Sequence, residues 1–111
     1  MKLPNGDRAF VDIEKLRGYC LNPYHLRGKH KARVFAAALG FTTQDAVLFQ
    51  SILLKAARDS SVSLAGSDGH GQRYILDFEM AGPKGEAVVR SSWIVLNGED
   101  RPRFLSCYVL S

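Results

Sequence analysis

An α+β fold, with N-terminal helices packed on one face of a four-stranded antiparallel meander sheet, is what this sequence predicts. Three observations carry that expectation. Apolar residues recur at helical spacing from Ile13 to about Asp59. From Gln72 onward the period falls to two. Gly, Pro and Asn turn signals then divide the second half into successive strands. Helices first and strands after is the pattern of helices segregated to one side of an antiparallel sheet, whose other face stays partly open.

Each element follows from local chemistry. Pro4-Asn5-Gly6-Asp7 is a turn signal, after which Asp12 can cap a short helix whose Ile13, Leu16 and Tyr19 share a face. Asn22-Pro23 ends it, and Tyr24 to Gly28 form a loop. A second helix runs from about Lys29 to Leu39, with Gly40 as its stop. Val34, Phe35 and Ala38 form its apolar stripe, flanked by a face carrying His30, Arg33 and Ala37. Thr42-Thr43-Gln44-Asp45 reads as a capping box for a third helix that reaches about Asp59 and buries Ala46, Phe49, Leu53 and Ala56.

Ser60 to Gly71 is a Ser/Gly-rich connection with a short edge strand around Val62–Leu64. Gln72 to Met80 alternates, with Tyr74, Leu76, Phe78 and Met80 on one face. Gly82-Pro83-Lys84-Gly85 turns the chain into a strand from Glu86 to Leu96, and Asn97-Gly98 turns it again toward a last strand from Arg103 to Leu110.

With 111 residues, 46% of them hydrophobic, the chain is expected to be one domain with a single core. A formal charge of +4 and a sequence pI of about 9.3 favour nucleic acid or an acidic protein as partner. The two cysteines are too few for a disulfide scaffold and suit a reducing cytoplasm. No apolar run approaches the roughly 20 residues that cross a bilayer, and polar residues follow Met1 directly, so neither a membrane partner nor a signal peptide is expected.

The run Gly28-Lys29-His30-Lys31-Ala32-Arg33 stands where a helix begins. The first turn of a helix carries partial positive charge and favours Asp or Glu, so Lys29, Lys31 and Arg33 there are unfavourable unless an anion arrives. Helix-end N–H groups and clustered cations both attract phosphate, which makes these residues candidates for binding RNA. A metal is not expected. Cys20, His25 and His30 recur every five residues, a spacing that matches no zinc pattern, and the neighbouring cations repel a dication. No Gly-rich phosphate loop is present, and no cofactor is expected.

Alternation assigns faces in the last two strands. Val89, Trp93 and Val95 point one way, and Arg90, Ser92 and Ile94 the other; Leu105, Cys107 and Val109 oppose Phe104, Ser106 and Tyr108. If Trp93 and Leu105 pack against the helices, Arg90, Ser92, Ser106 and Tyr108 converge on the far face.

The blocks Leu3–Ala9, Leu21-Asn22-Pro23, Gly28–Phe35, Gly71–Tyr74, Val89–Ile94 and Arg101–Tyr108 together resemble a family of small bacterial domains of unknown function. Related blocks occur at the C-termini of polymorphic toxins, and these are similar to the ribonuclease superfamily that groups barnase, EndoU, the tRNA-cutting colicins and RelE. The resemblance implies a RelE/barnase-like fold and metal-independent RNA cleavage by a toxin-type domain. It also implies a site built from His30, Lys31 and Arg33 on the helix, Arg90 and Ser92 on the third strand, and Ser106 and Tyr108 on the last. The chain departs from its relatives in Ser106, where they carry Thr, and in Val109, where they carry Pro.

The implied chemistry is attack by a ribose 2′-hydroxyl on the adjacent phosphate. His30 moves the proton, Arg90 grips the phosphate, Ser92 and Ser106 donate hydrogen bonds, and Tyr108 donates a proton or stacks on a base. Lys29, Lys31 and Arg33 hold the RNA backbone. Plainer readings stand beside these. The charge run can be a solvated face, and Arg90 can pair with Glu79 or Asp77 across the sheet. The domain can also bind RNA without cutting it, or dock an acidic antitoxin or immunity-type protein.

Overall fold

The computed structural model describes residues 1–110. Its elements follow the predicted order. A 3₁₀ turn at Gly6–Arg8 precedes α1 (Ile13–Lys15), which passes directly into a π-helical turn at Leu16–Cys20. Helix α2 spans Lys29–Leu39, and a 3₁₀ turn at Thr43–Asp45 leads into α3 (Ala46–Asp59). Strands β1 (Ser63–Ser67), β2 (Gly71–Gly82), β3 (Gly85–Leu96) and β4 (Arg103–Val109) form one antiparallel meander in the order β1-β2-β3-β4.

The helix ends obey their capping chemistry. Asp12 accepts the N–H of Glu14 at 3.0 Å. Gly40 closes α2 at φ 76°, a left-handed conformation in which the Gly40 and Phe41 N–H groups reach back to Ala36 and Phe35. Thr42 and Asp45 satisfy each other's end of the box, with the Thr42 N–H donating to Asp45 at 2.8 Å. Ala46, Phe49, Leu53, Ala56 and Ala57 form the buried stripe of α3. Phe49 meets Phe35 and Phe41 edge to face at 5.2 and 5.7 Å, joining α2 to α3.

Three sequence expectations are corrected. Val34 is exposed, and Ala32, Phe35 and Leu39 form the buried face of α2, since the sheet lies one residue further round the helix. The edge strand begins at Ser63, one residue after its expected start, and extends to Ser67. Phe104 does not share a face with Ser106 and Tyr108. A bulge at Leu105 shifts the register, so Ser92 pairs with Ser106 but Trp93 pairs with Phe104. The extra residue turns Phe104 into the core, where its ring lies 5.4 Å from that of Trp93.

Candidate functional site

Sheet register builds one half of the site. Arg90 lies opposite Tyr108 and Ser92 opposite Ser106, so all four side chains share a face. On the other side Arg90 is opposite Asp77, and its Nε and Nη2 donate to the two carboxylate oxygens at 2.8 Å each. This fork raises the Arg90 pKa, with the Tyr108 hydroxyl adding to the effect, and holds the Asp77 carboxyl below the usual range. Two of the five guanidinium donors are thereby occupied, so Arg90 is a braced cation rather than a free one.

The helical half is built by α2 and the π-helical turn, both packed against β4, the terminal strand of the sheet. The Lys31 ammonium stands 5.8 Å from the Tyr19 ring and 5.4 Å from the Tyr108 ring. Both distances fall within cation–π reach. Lys31 is half-buried and forms no ion pair among the described residues. His30 is exposed and makes no hydrogen bond among the described residues; adjacent helical residues differ by about 100° around the axis, so it does not share the direction of Lys31. Lys29 is half-buried and Arg33 exposed, and neither has a carboxylate partner among the described residues.

The turn before α2 is pinned by an imidazole. His25 Nδ1 accepts the N–H groups of Arg27 and Gly28 at 3.1 and 3.0 Å, and its ring meets Tyr19 edge-on at 4.7 Å. An accepting Nδ1 places the proton on Nε2. Gly28 lies so close to Tyr19 that a Cβ would stand 2.7 Å from the Tyr19 carbonyl oxygen.

Beside Tyr19 an open groove of about 670 Å³ runs between the π-helical turn and β4, with the carboxylates of Asp12 and Glu14 at one side and Lys15, Tyr19, Leu105 and Ser106 also lining it. The Ser106 Oγ is buried without a hydrogen-bond partner. Close by, a hydrogen bond from Cys107 lowers the pKa of the Cys20 thiol, with the Lys31 charge also favouring the thiolate. Burial pushes Cys107 the other way. A second hollow of about 340 Å³, between α3 and β2, is lined by none of the predicted site residues.

Charge completes the picture. No Asp or Glu occurs between Glu14 and Asp45, a stretch that carries Lys15, Arg17, Arg27, Lys29, Lys31 and Arg33. Of these cations only Arg17 makes an ion pair among the described residues, with Glu14. The arrangement is suited to an anion: an ammonium without an ion-pair partner among the described residues, a braced guanidinium, and the hydroxyls of Tyr108 and Ser92 on neighbouring strands.

Lys31, Tyr108, Arg90, Ser92 and Ser106 are thus tied together through β3 and β4, whereas no contact joins His30 or Arg33 to them among the described residues. Tyr19 and the anchoring role of His25 were not recognised from sequence. Tyr19 shares apparent helical spacing with Ile13 and Leu16, and the π-helical turn that redirects it leaves no mark in that spacing. The carboxylate-free stretch from Lys15 to Gln44 is the signal that pointed there.

No curated protein matches the chain. Among solved structures it is similar to a chain of a contact-dependent growth inhibition toxin–immunity protein complex from Klebsiella pneumoniae 342. The TM-score is 0.67 at 19% identity, covering 89% of this chain and 97% of that one. The match establishes a shared fold. A family model covers residues 2–111, and on that match the chain belongs to the family described as Domain of unknown function (DUF6883).

Proposed function

We propose that this chain is a toxin-type domain that cleaves RNA without a metal ion, by attack of a ribose 2′-hydroxyl on the neighbouring phosphate. The observation that carries the reading is Lys31: a half-buried ammonium between two tyrosine rings, with no carboxylate partner among the described residues, and one of those rings belongs to Tyr108, paired with the guanidinium-bearing Arg90 that Asp77 braces. A cation so placed is satisfied by an anion from outside, and a bridging phosphate fits.

In this mechanism Lys31 and the remaining N–H donors of Arg90 stabilise charge that builds on the phosphoryl oxygens. Ser92 donates to the same oxygens, and the buried Ser106 hydroxyl supports it from the paired position on β4. Tyr108, between the two cations, protonates the departing 5′-oxygen, and the exposed His30 takes the 2′-hydroxyl proton once RNA is bound. Lys29 and Arg33 hold the flanking backbone through sequence-independent attraction.

The test is cleavage of a labelled RNA in the presence of a chelator. Lys31→Ala, Arg90→Ala and Tyr108→Phe are each expected to lower the rate by about 100-fold or more, typical for loss of a transition-state donor. His30→Ala is expected to cost 10²–10⁴-fold, the usual range for a proton carrier. Equal rates in wild type and all four variants would overturn the proposal.

A second reading is favoured by the similar solved structure, a toxin–immunity protein complex. The cationic stretch from Lys15 to Arg33 suits an acidic immunity-type protein, with or without RNA cleavage. A stoichiometric complex with an acidic protein and no RNA turnover by the wild-type chain would select it.

A further inference from the structure

Tyr24 and Leu26 are 91% and 82% exposed, more than any other large apolar side chain among the described residues. Single exposed apolar residues are ordinary. These two differ in sitting on a turn whose backbone is held by several hydrogen bonds. The Tyr24 N–H donates to Asn22 Oδ1 at 2.9 Å, and the His25 N–H to the Asn22 carbonyl at 3.3 Å. The Arg27 and Gly28 N–H groups donate to His25 Nδ1, and the Lys29 N–H to the His25 carbonyl at 2.9 Å. Asn22 in turn donates to the Gly18 carbonyl at 3.3 Å, and Gly28 abuts Tyr19. The turn is therefore fastened to the π-helical segment that supplies Tyr19, the wall of the proposed site.

We propose that this turn is a stacking platform for an unpaired nucleobase of single-stranded RNA, with Tyr24 beneath the base and Arg27 on the adjoining phosphate. The inference rests on the RNA reading above and names the substrate form that the same site takes. A ring presented on a pre-ordered backbone loses little freedom when a flat partner settles on it. Aromatic stacking combined with neighbouring cations is how proteins hold single strands without reading their sequence. Arg27, Lys29 and His30 follow Tyr24 closely in the chain and have no carboxylate partner among the described residues. A base-paired duplex offers no free base face to Tyr24, so the platform selects single strands.

The experiment measures binding of a fluorescent, uncleavable 2′-O-methyl oligonucleotide, single-stranded and as a duplex, across a salt series. Tyr24→Ala is expected to weaken single-strand binding about tenfold or more, whereas Tyr24→Phe holds it and duplex binding does not change. The slope of affinity against salt should stay the same in Tyr24→Ala and become shallower in Arg27→Ala. Wild type that binds no oligonucleotide at all overturns the RNA reading itself. Wild type that binds, with Tyr24→Ala binding equally well, overturns the platform alone. So does a Tyr24→Ala chain that keeps its RNA but loses an acidic protein partner, which assigns the turn to that protein.

Discussion

Ser91 is the one fully buried polar side chain among the described residues, and it is satisfied twice. Its hydroxyl donates to the Leu76 carbonyl at 2.8 Å and accepts the Trp93 indole N–H at 2.9 Å. Ser91→Ala therefore strands the indole donor in the core, a loss of about 1–3 kcal/mol that chemical denaturation would register. The Asp77–Arg90 fork is worth less, because each side chain is about a third exposed and solvent screens the pair. Its carboxyl titrates below the ordinary value near 3.9, since Arg90 stabilises the charged form. The fork's contribution is thus complete above that ordinary value and is lost as pH falls through the lower, folded one. Asp77→Asn is expected to cost about 1 kcal/mol or less at neutral pH, and melting curves of the two proteins should converge in strong acid.

Among the elements, the π-helical turn does most to shape the site. Leu16 and Cys20 are buried, while Tyr19 remains half-exposed between His25 and Lys31. Such turns are rare and concentrate at functional sites. The loop that follows is fitted to this turn through Gly28, whose φ of −93° suits any residue but whose Cβ position is occupied by Tyr19. Gly28→Ala is expected to destabilise the fold by about 1–3 kcal/mol through overpacking. Because the turn must shift off Tyr19, the proposed RNA cleavage should fall further in this variant than in Ala37→Ser, on an exposed part of α2. Equal activity in the two would mean that the turn and Tyr19 are not mechanically linked to the reaction. The β4 bulge works in the same way, since it gives Phe104 to the core while keeping Ser106 and Tyr108 beside Arg90.

At the scale of the whole molecule, order of elements, helix limits and strand pairing follow from local chemistry. Gly40, the Thr42–Asp45 box and the alternation from Tyr74 to Met80 act over a few residues, so their outcome is legible in the chain. The facing of Arg90, Ser92, Ser106 and Tyr108 was legible too, because period-two alternation survives on the site side of the bulge. Phe104 was not, since one inserted residue inverts every face beyond it and carries no sequence mark. The cationic character of α2 was equally plain from composition, but not which cation turns toward the sheet. Lys31 and not His30 meets Tyr108, as a step of one residue rotates a helical side chain by about 100° and only docking of α2 on β4 fixes that rotation. Sequence alone therefore determined the layered fold and the charge of the exposed helix start, both products of local propensity and burial. Tertiary structure decided which side chains meet across helix and sheet, because that depends on helix rotation, a bulge and a π-helical turn, each set by packing between segments far apart in the chain.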